Sequence, residues 1–521
     1  MHEGLIMKYS LLWNTVRHLR GRQFLFQLLY RLHKPKFKSC RLSSSAYEAA
    51  QRHHLHTPPI PKWRSYESEH FTFLNLKHEF AGWNFTGNGM LWAYNQNYFD
   101  FINQKEVDIG TACEWIDKFV EELSQKRIGL GLDPYPIALR TINWINFFCL
   151  HPEALTKKRA DSLYSQYLLL AQKLEYHLLG NHLLEDAFSL TIGAYYFCDE
   201  RMKRKGTRLL THELKEQILP DGAHYEQSPM YHCILLDRLL DTYNYTRLPE
   251  LVPFAQRMLG HLESICYKDG TWPFFGDAAL GIAPTPKDIK DYARRLGINW
   301  QALPLKECGY RKMISERMEA FVDIGNIMAT YQPGHSHADS LTFELHIDGK
   351  PFIVDTGIST YDKNERRQYE RSTAAHNTVT SQYQNSSEVW GGFRVGKRCK
   401  VKCTKDEVQC IEAEHDGFGS VHRRKFTIND NQFLISDFCE AERCMAHLHF
   451  APTTGEIYID DNTIRTPLAN IKITGNVTSI VLVDCEVSTE YNIKRKSKEV
   501  QISFTGECTA LIKANNNKPK A

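Results

Sequence analysis

Hydrophobic positions follow one spacing before about residue 320 and another after it. From about residue 85 to residue 310, apolar residues recur three and four positions apart, which is the spacing of one face of an α-helix. The clearest runs are 113–125, 161–179, 207–218 and 232–245. Short loops rich in Gly, Pro and Asp separate these runs. Helices of this length with short connections predict an antiparallel helical array.

Beyond residue 320 the apolar positions alternate, as in half-buried strands. Residues 341–354 alternate and then turn at Asp348-Gly349, which predicts a β-hairpin. Similar short runs lie at 376–381, 399–413, 423–428, 432–438, 446–450, 470–475, 478–483 and 499–504. This succession predicts an antiparallel β-sandwich. The predicted fold class is therefore multidomain α+β, with helices first and the sandwich second.

The N-terminal region has a pattern of its own. Residues 8–34 read as one or two basic amphipathic helices, which either dock on the body of the protein or lie on a membrane surface. Residues 35–80 are expected to be irregular, as a linker or wrapping arm. The predicted boundaries are 1–60 for the helical segment and linker, 61–315 for the helical domain, 316–513 for the sandwich and 514–521 for a polar tail.

Composition narrows the class of protein. A chain of 521 residues is too long for one core. Its 64 basic and 61 acidic residues nearly balance, so no nucleic-acid partner is expected. The 14 cysteines include no C-x-x-C pair, and residues 1–10 hold no apolar core of a secretory signal. We expect a cytoplasmic or membrane-peripheral protein, with export by another route left open.

Two stretches in the helical half carry chemistry-bearing residues. Asn181 and His182 stand between apolar runs near a predicted helix start, where the alternative is a helix cap and a buried core histidine. Residues 221–232 form a loop rich in titratable groups, and its alternative is a solvated connection. The loop carries His224, Tyr225, Glu226, Tyr231 and His232.

Two further stretches lie at strand ends. His335 and His337 precede the predicted hairpin, Asp355 ends its second strand, and His376 opens a later one. Together His337, Asp355 and His376 suit a zinc site, although His376 could equally be a strand-end histidine bonded to backbone. Tyr369 lies shortly before His376.

This residue set suits β-elimination on a uronic acid. The proton at C5 is too weakly acidic while the neighbouring carboxylate keeps its full charge, so donors such as an Asn amide and His must neutralise it. A base then removes the proton and an acid protonates the leaving oxygen, and Tyr and His can do both. No carboxylate pair of the glycoside hydrolase kind stands out.

The motifs together resemble the heparinase II/III superfamily. They are GNH at 180–182, E-x-S-P-x-Y-H at 226–232, GHSHAD from 334 with the hairpin to Asp355, and AHNTV at 375–379. They occur in the family's order and cover about residues 80–510. The resemblance implies an (α/α) toroid followed by an antiparallel β-sandwich.

The resemblance also implies roles. Asn181 and His182 would neutralise the carboxylate, Tyr231 would be the catalytic tyrosine, with Tyr225 as the alternative, and His335 the second acid/base residue. His337, Asp355 and His376 would hold one structural divalent metal, zinc by preference, and no organic cofactor is expected. Further candidates for catalysis or for shaping the sugar groove are Glu226, Tyr369, Arg140, Asn143 and Trp144, the last of which could equally be core.

The expected function is a lyase on an acidic polysaccharide. The short N-terminal region and the missing signal resemble family members encoded with exopolysaccharide or capsule synthesis. The alternative is a non-catalytic glycan-binding protein of such assembly on the same fold. The sequence leaves open the sugar, its sulfation, endo or exo action and the oligomeric state.

Overall fold

The computed structural model describes residues 2–515, so residues 516–521 of the expected polar tail lie outside the described residues. The α-helices are α1 His2–Val16, α2 Gly21–Leu32, α3 Ser44–Gln51, α4 Met90–Tyr98, α5 Ile109–Ser124, α6 Pro134–Leu150, α7 Lys157–Leu170, α8 Gly180–Tyr196, α9 Glu200–Gln217, α10 Pro229–Thr246, α11 Val252–Ile265, α12 Pro286–Arg295 and α13 Glu365–Glu370. Short 3-10 turns link them at Asp100–Asn103, Leu130–Leu132, Pro152–Ala154, Pro249–Leu251 and Thr373–Ala375. No described helix is both long and apolar enough to cross a membrane.

The helices from α4 to α12 form the predicted toroid. Its inner helices, α6, α8 and α10, are buried on nearly every side, which explains why their apolar residues show little amphipathic bias. The outer helices α5 and α9 bury one face and expose the other. The inner helices therefore supply the side chains that can face a central cleft.

Two segments of the helical half differ from the sequence expectation. Residues 35–80, expected to be irregular, contain α3 and a small sheet of β1 Tyr66–Glu67, β2 His70–Phe73 and β3 Leu76–Glu79. These strands form because Phe71 and Phe73 are buried in the toroid core. The helix expected over 161–179 ends at Leu170, since residues 171–179 turn to deliver Leu179 and α8 at the cleft.

The sheet half begins with a four-stranded antiparallel sheet in the order β4 Tyr310–Ile314, β5 Met318–Asp323, β6 Phe343–Ile347 and β7 Lys350–Ile353. The hairpin between β6 and β7 turns at Asp348 and Gly349, both with positive φ, as the sequence predicts. This sheet is the middle layer. Phe321 on one face contacts Tyr267 of the helical half, and Phe343 on the other contacts Phe426 of the second sheet.

The second sheet has nine strands: β8 Val379–Ser381, β11 Val401–Glu407, β12 Cys410–His415, β13 His422–Asn429, β14 Gln432–His449, β15 Tyr458–Asp460, β16 Thr463–Arg465, β17 Ala469–Glu490 and β18 Ile493–Ala514. The hairpin β9 Val389–Trp390 and β10 Arg394–Val395 stands apart. The two sheets enclose a second apolar core. The predicted order of toroid and then β-sandwich is confirmed.

Candidate active site

Asn181 is fixed in the first turn of α8. Leu179 and Gly180 both have positive φ, and this tight turn points the start of α8 at the loop before α10. Glu226 in that loop accepts from the Asn181 backbone N–H at 2.9 Å and from its amide Nδ2 at 2.8 Å. A Cβ on Gly180 would lie 2.4 Å from Glu226 Oε1, so glycine is needed for this approach. Asn181 is therefore held by a carboxylate and does not cap the helix.

His182 lies beside Asn181 and reaches the cleft. Its side chain is 31% exposed, its ring packs on Tyr135, and its Nδ1 lies 3.0 Å from Glu175 Oε2. Burial disfavours a charged imidazole, but the Glu175 carboxylate outweighs this and raises the pKa of His182. The ring is therefore biased toward the cationic form.

Tyr231 stands on the first turn of α10, which Pro229 begins and Ser228 caps. Its ring stacks on His335 with centroids 3.9 Å apart, and its hydroxyl lies 3.3 Å from that of Tyr361. Burial raises the pKa of the Tyr231 phenol, with the Tyr361 hydrogen bond opposing it. The phenol therefore carries its proton at neutral pH.

His335 comes from the opposite side, in the loop between β5 and β6. Its Nδ1 lies 2.8 Å from Asp277 Oδ2, and its Nε2 lies 3.3 Å from the Asn181 amide nitrogen. A carboxylate can only accept, so Nδ1 carries the hydrogen and Nε2 of the neutral ring keeps its lone pair. The lone pair points toward Asn181.

Asp277 is the buried hub below His335. Its other oxygen accepts from His337 Nε2 at 2.9 Å, and Arg367 makes a two-pronged ion pair with the carboxylate. Burial opposes the negative charge, but Arg367 and the two histidines outweigh it and hold the pKa of Asp277 well below its usual range. One carboxylate thus orients both histidines of the H-x-H pair.

A cluster of possible metal ligands lies behind this hub. Ligand atoms of His337, Asp339 and His376 come within 4.8 Å of one another. His337 Nε2 donates to Asp277, and His376 Nδ1 lies 2.6 Å from Asp355. The other nitrogen of each ring, Nδ1 of His337 and Nε2 of His376, points away from these carboxylates and offers a lone pair. Those two nitrogens are buried and have no hydrogen-bond partner among the described residues. A cavity of about 30 Å³ is lined in part by His337 and Asp339, but His376 does not line it.

The cluster departs from the expected trio in one member. Asp355 lies against His376 Nδ1 and caps the Gly357 backbone N–H, while Asp339 contributes the carboxylate next to the two free ring nitrogens. Asp339 follows His337 by two residues in the loop before β6, so the local turn brings it round to the same point. The arrangement fits a divalent cation.

Several other sequence candidates lie away from the cleft. Arg140 gives its guanidinium to Gln166 and to the backbone oxygens of Asn97 and Gly131, and it is fully buried. Asn143 and Trp144 are likewise buried in the toroid, on the helix face that packs against Phe99 and Asp100. These three side chains stabilise helix packing because their polar groups are already bonded or enclosed.

The candidate tyrosines differ in whether they contact the residues of the cleft. Tyr225 is 4% exposed and its hydroxyl bonds that of Tyr331, whereas Tyr231 stacks on His335. Tyr369 packs beside Arg366, and Tyr361 is the residue of that segment that reaches Tyr231. The geometry therefore places Tyr231 and Tyr361 at the cleft.

Sequence reasoning assigned no role to the residues that hold the site together. They are Glu175, Asp277, Asp339, Tyr361 and Arg367. Asp277 ends the aromatic run WPFFGD, and a lone carboxylate directly after such a buried run is a usable signal. Glu175 and Arg367 carry no local signal, because ordinary helix surfaces hold many such residues.

Two models of a single family match this chain. The heparinase II/III N-terminus model covers residues 144–293, and the heparinase II/III-like C-terminal model covers residues 298–514. Together they span well over half of the sequence and meet at the boundary between helices and sheet. The chain belongs to the heparinase II/III family.

Particular relatives carry the name heparin-sulfate lyase. That of Bacteroides stercoris is 23% identical over 319 residues, which are 54% of this chain and 47% of the relative. That of Pedobacter heparinus is 26% identical over 321 residues, 53% and 48% of the two chains. The match thus spans about half the length of these curated relatives. A crystal structure of heparinase III shares the fold, with a TM-score of 0.67 and 15% identity over 94% of this chain and 89% of its own.

Proposed function

We propose that this protein cleaves a uronic-acid-containing acidic polysaccharide by β-elimination. The observation that supports the proposal is the meeting of three groups at one point: the Asn181 amide, Nε2 of His335 and the protonated phenol of Tyr231. They supply a hydrogen-bond donor, a base and an acid, which are the three functions that the elimination requires.

Asn181 and His182 bind the substrate carboxylate. One N–H of the Asn181 amide is committed to Glu226, and the second, which faces Nε2 of His335, is shared with the substrate carboxylate. The cationic bias of His182 adds a charged donor. Because both donors are held before substrate arrives, little reorganisation is needed as negative charge spreads from C5 into the carboxylate.

His335 and Tyr231 move the protons. Nε2 of His335 takes the C5 proton, the electron pair of that bond forms the C4–C5 double bond, and the C4–O bond breaks. The Tyr231 hydroxyl gives its proton to the departing oxygen. The resulting phenolate lies beside the Tyr361 hydroxyl, which can donate to it. Proton return through water restores both residues.

The carboxylates of the site support elimination over hydrolysis. Glu226 is bound to Asn181, and Asp277 is bound to His335, His337 and Arg367. A glycosidase needs one carboxyl group free to donate a proton and another free to attack or activate water. Neither group here is free for such work.

His337, Asp339 and His376 would hold the divalent metal, with Asp277 and Asp355 orienting the two imidazoles. When bound, the metal would supply a structural crosslink between the H-x-H loop and the strand that begins at Val379. Asp277 contacts both His335 and His337, so fixing His337 in this cluster also fixes the position of His335.

The test is incubation of the purified protein with heparan sulfate, chondroitin, hyaluronan, alginate and bacterial exopolysaccharides. Formation of an unsaturated uronate is followed by its ultraviolet absorbance. A rise with one polymer is the expected result and identifies the substrate class. Binding of a polymer with no unsaturated product would indicate a glycan-binding protein. New reducing ends with no unsaturated product would indicate a hydrolase.

A further inference from the structure

Helix α2 is docked on the protein by one face only. Gln23 is buried and its amide bonds the backbone oxygens of Leu178 and Tyr331. Phe26 packs on Tyr176, and the Tyr30 hydroxyl donates to a backbone oxygen of the same turn. Residues 23, 26 and 30 recur at helical spacing, so a single stripe of α2 makes these contacts.

The opposite face of α2 is apolar and exposed. It consists of Phe24, Leu25, Leu28, Leu29 and Leu32, which we name the α2 apolar stripe. Their exposed fractions run from 42% to 76%. On α1, Tyr9, Leu12 and Trp13 are also exposed, at spacings of three and four. Scattered exposed leucines are ordinary, but five on one helix face form a contiguous patch that marks an interaction surface.

The charge of the same segment has one sign. Residues 8–41 contain nine Lys and Arg and no Asp or Glu. Of these, Arg20 is paired with Glu216 on the toroid. Arg22 and Arg31 flank the α2 apolar stripe and are exposed, as are Lys34, Lys36 and Lys38 beyond its end. An apolar stripe with cations along its border is the pattern of a helix that lies in the headgroup region of a membrane.

We propose that α1 and α2 bind the surface of an anionic lipid bilayer, with the α2 apolar stripe inserted among the headgroups. A second copy of this chain fits less well, because symmetric pairing would bring two uncompensated cationic segments together. An acidic polysaccharide would match the charge but offers hydroxyls and carboxylates, which have no use for five exposed Phe and Leu side chains.

The contacts that dock α2 also link the α2 apolar stripe to the candidate active site. Leu178 lies three residues before Asn181, and Tyr331 four residues before His335, and both accept from the same Gln23 amide. A membrane-bound α2 would therefore hold the two loops of the candidate active site close to the bilayer. The binding itself does not depend on the proposed reaction.

The experiment is co-sedimentation of the full chain with phosphatidylglycerol–phosphatidylcholine vesicles and with pure phosphatidylcholine vesicles. A stripe variant carries Phe24→Gln, Leu28→Gln and Leu32→Gln, since Gln keeps helix propensity. The control carries Tyr383→Gln, Val408→Gln and Val481→Gln, which change three residues that are exposed elsewhere. Equal melting temperatures establish that both variants are folded.

Wild type and control should bind the anionic vesicles, and the stripe variant should bind at least tenfold more weakly. Arg22→Gln with Arg31→Gln and Lys34→Gln should lower binding on the order of 100-fold at about 0.1 M salt. Equal binding by the stripe variant would overturn the proposal. The proposal would also be overturned if wild type bound no vesicles and formed an oligomer that the stripe substitutions dissociate. The same holds if the stripe substitutions weakened binding of an acidic polysaccharide and left vesicle binding unchanged.

Discussion

Asp277 Oδ2 lies 2.8 Å from His335 Nδ1, and this contact sets which nitrogen of His335 faces the Asn181 amide. We expect Asp277→Asn to lower kcat by about 10²- to 10⁴-fold, because the amide can stabilise the wrong tautomer of His335. The rate of unsaturated-product formation measures the effect. Substrate binding, measured separately, should change little.

Asp437 gives a matched control for this substitution. It is a buried carboxylate that bonds a histidine, His422, and an arginine, Arg424, within the second sheet. We therefore expect both substitutions to lower the melting temperature and Asp437→Asn to leave kcat near wild type. If both variants lost kcat to a similar extent, the effect of Asp277→Asn would be explained by general destabilisation and not by the tautomer of His335.

Tyr231→Phe should lower kcat by about 10³-fold or more with the fold intact, because the variant loses only the hydroxyl that we propose protonates the leaving oxygen. Tyr225→Phe removes a hydroxyl that bonds Tyr331 and should retain most of the activity. Both rates are measured on the same polymer. A Tyr231→Phe enzyme with near wild-type turnover would transfer the acid role to another group.

The pKa of His182 is raised above 6.5 by Glu175, so its charge persists as pH rises past the value of an unperturbed histidine. The associated stability is fully present below pH 6.5 and is lost as pH rises through the raised pKa. Glu175→Gln should move the alkaline decline of kcat/KM to lower pH. A pH–rate profile of the two proteins checks this, and superimposed profiles would contradict it.

His376→Ala should lower metal content and melting temperature together, because metal binding is coupled to folding. Elemental analysis and thermal unfolding measure the two quantities. The control is His447→Ala, which removes a buried histidine bonded to Glu499 and lies outside the cluster. Metal-free wild-type protein whose melting does not respond to added zinc would exclude the metal site.

The sequence predicts the architecture well because periodicity reports burial. The alternating pattern predicts two separate runs, at 470–475 and 478–483, where the structure has the single long strand β17. The reason is that register shifts between Gly475 and Ser479 reverse which side chains face the core. The sequence also extends α7 beyond Leu170, because apolar residues continue at helical spacing through a turn that the cleft requires.

The site is predicted only where motifs are local. Asn181, Tyr231 and His335 can be recognised from their short stretches, and the structure brings all three together. Asp277 and Arg367 are 90 residues apart and form one ion pair, which no local pattern encodes. Arg140 shows the reverse case, since a polar residue in a promising stretch is a buried helix-packing group.

Tyr231 belongs to the toroid and His335 to the sheet half, and their stacked rings make the boundary between the domains part of the proposed reaction centre. The proposed acid and base meet only while the two domains are packed together, and a misplacement of about 1 Å would lower the rate on the order of 10²-fold. Turnover is thus a sensitive gauge of domain closure. In mild denaturant, catalysis should fail while both cores are still intact.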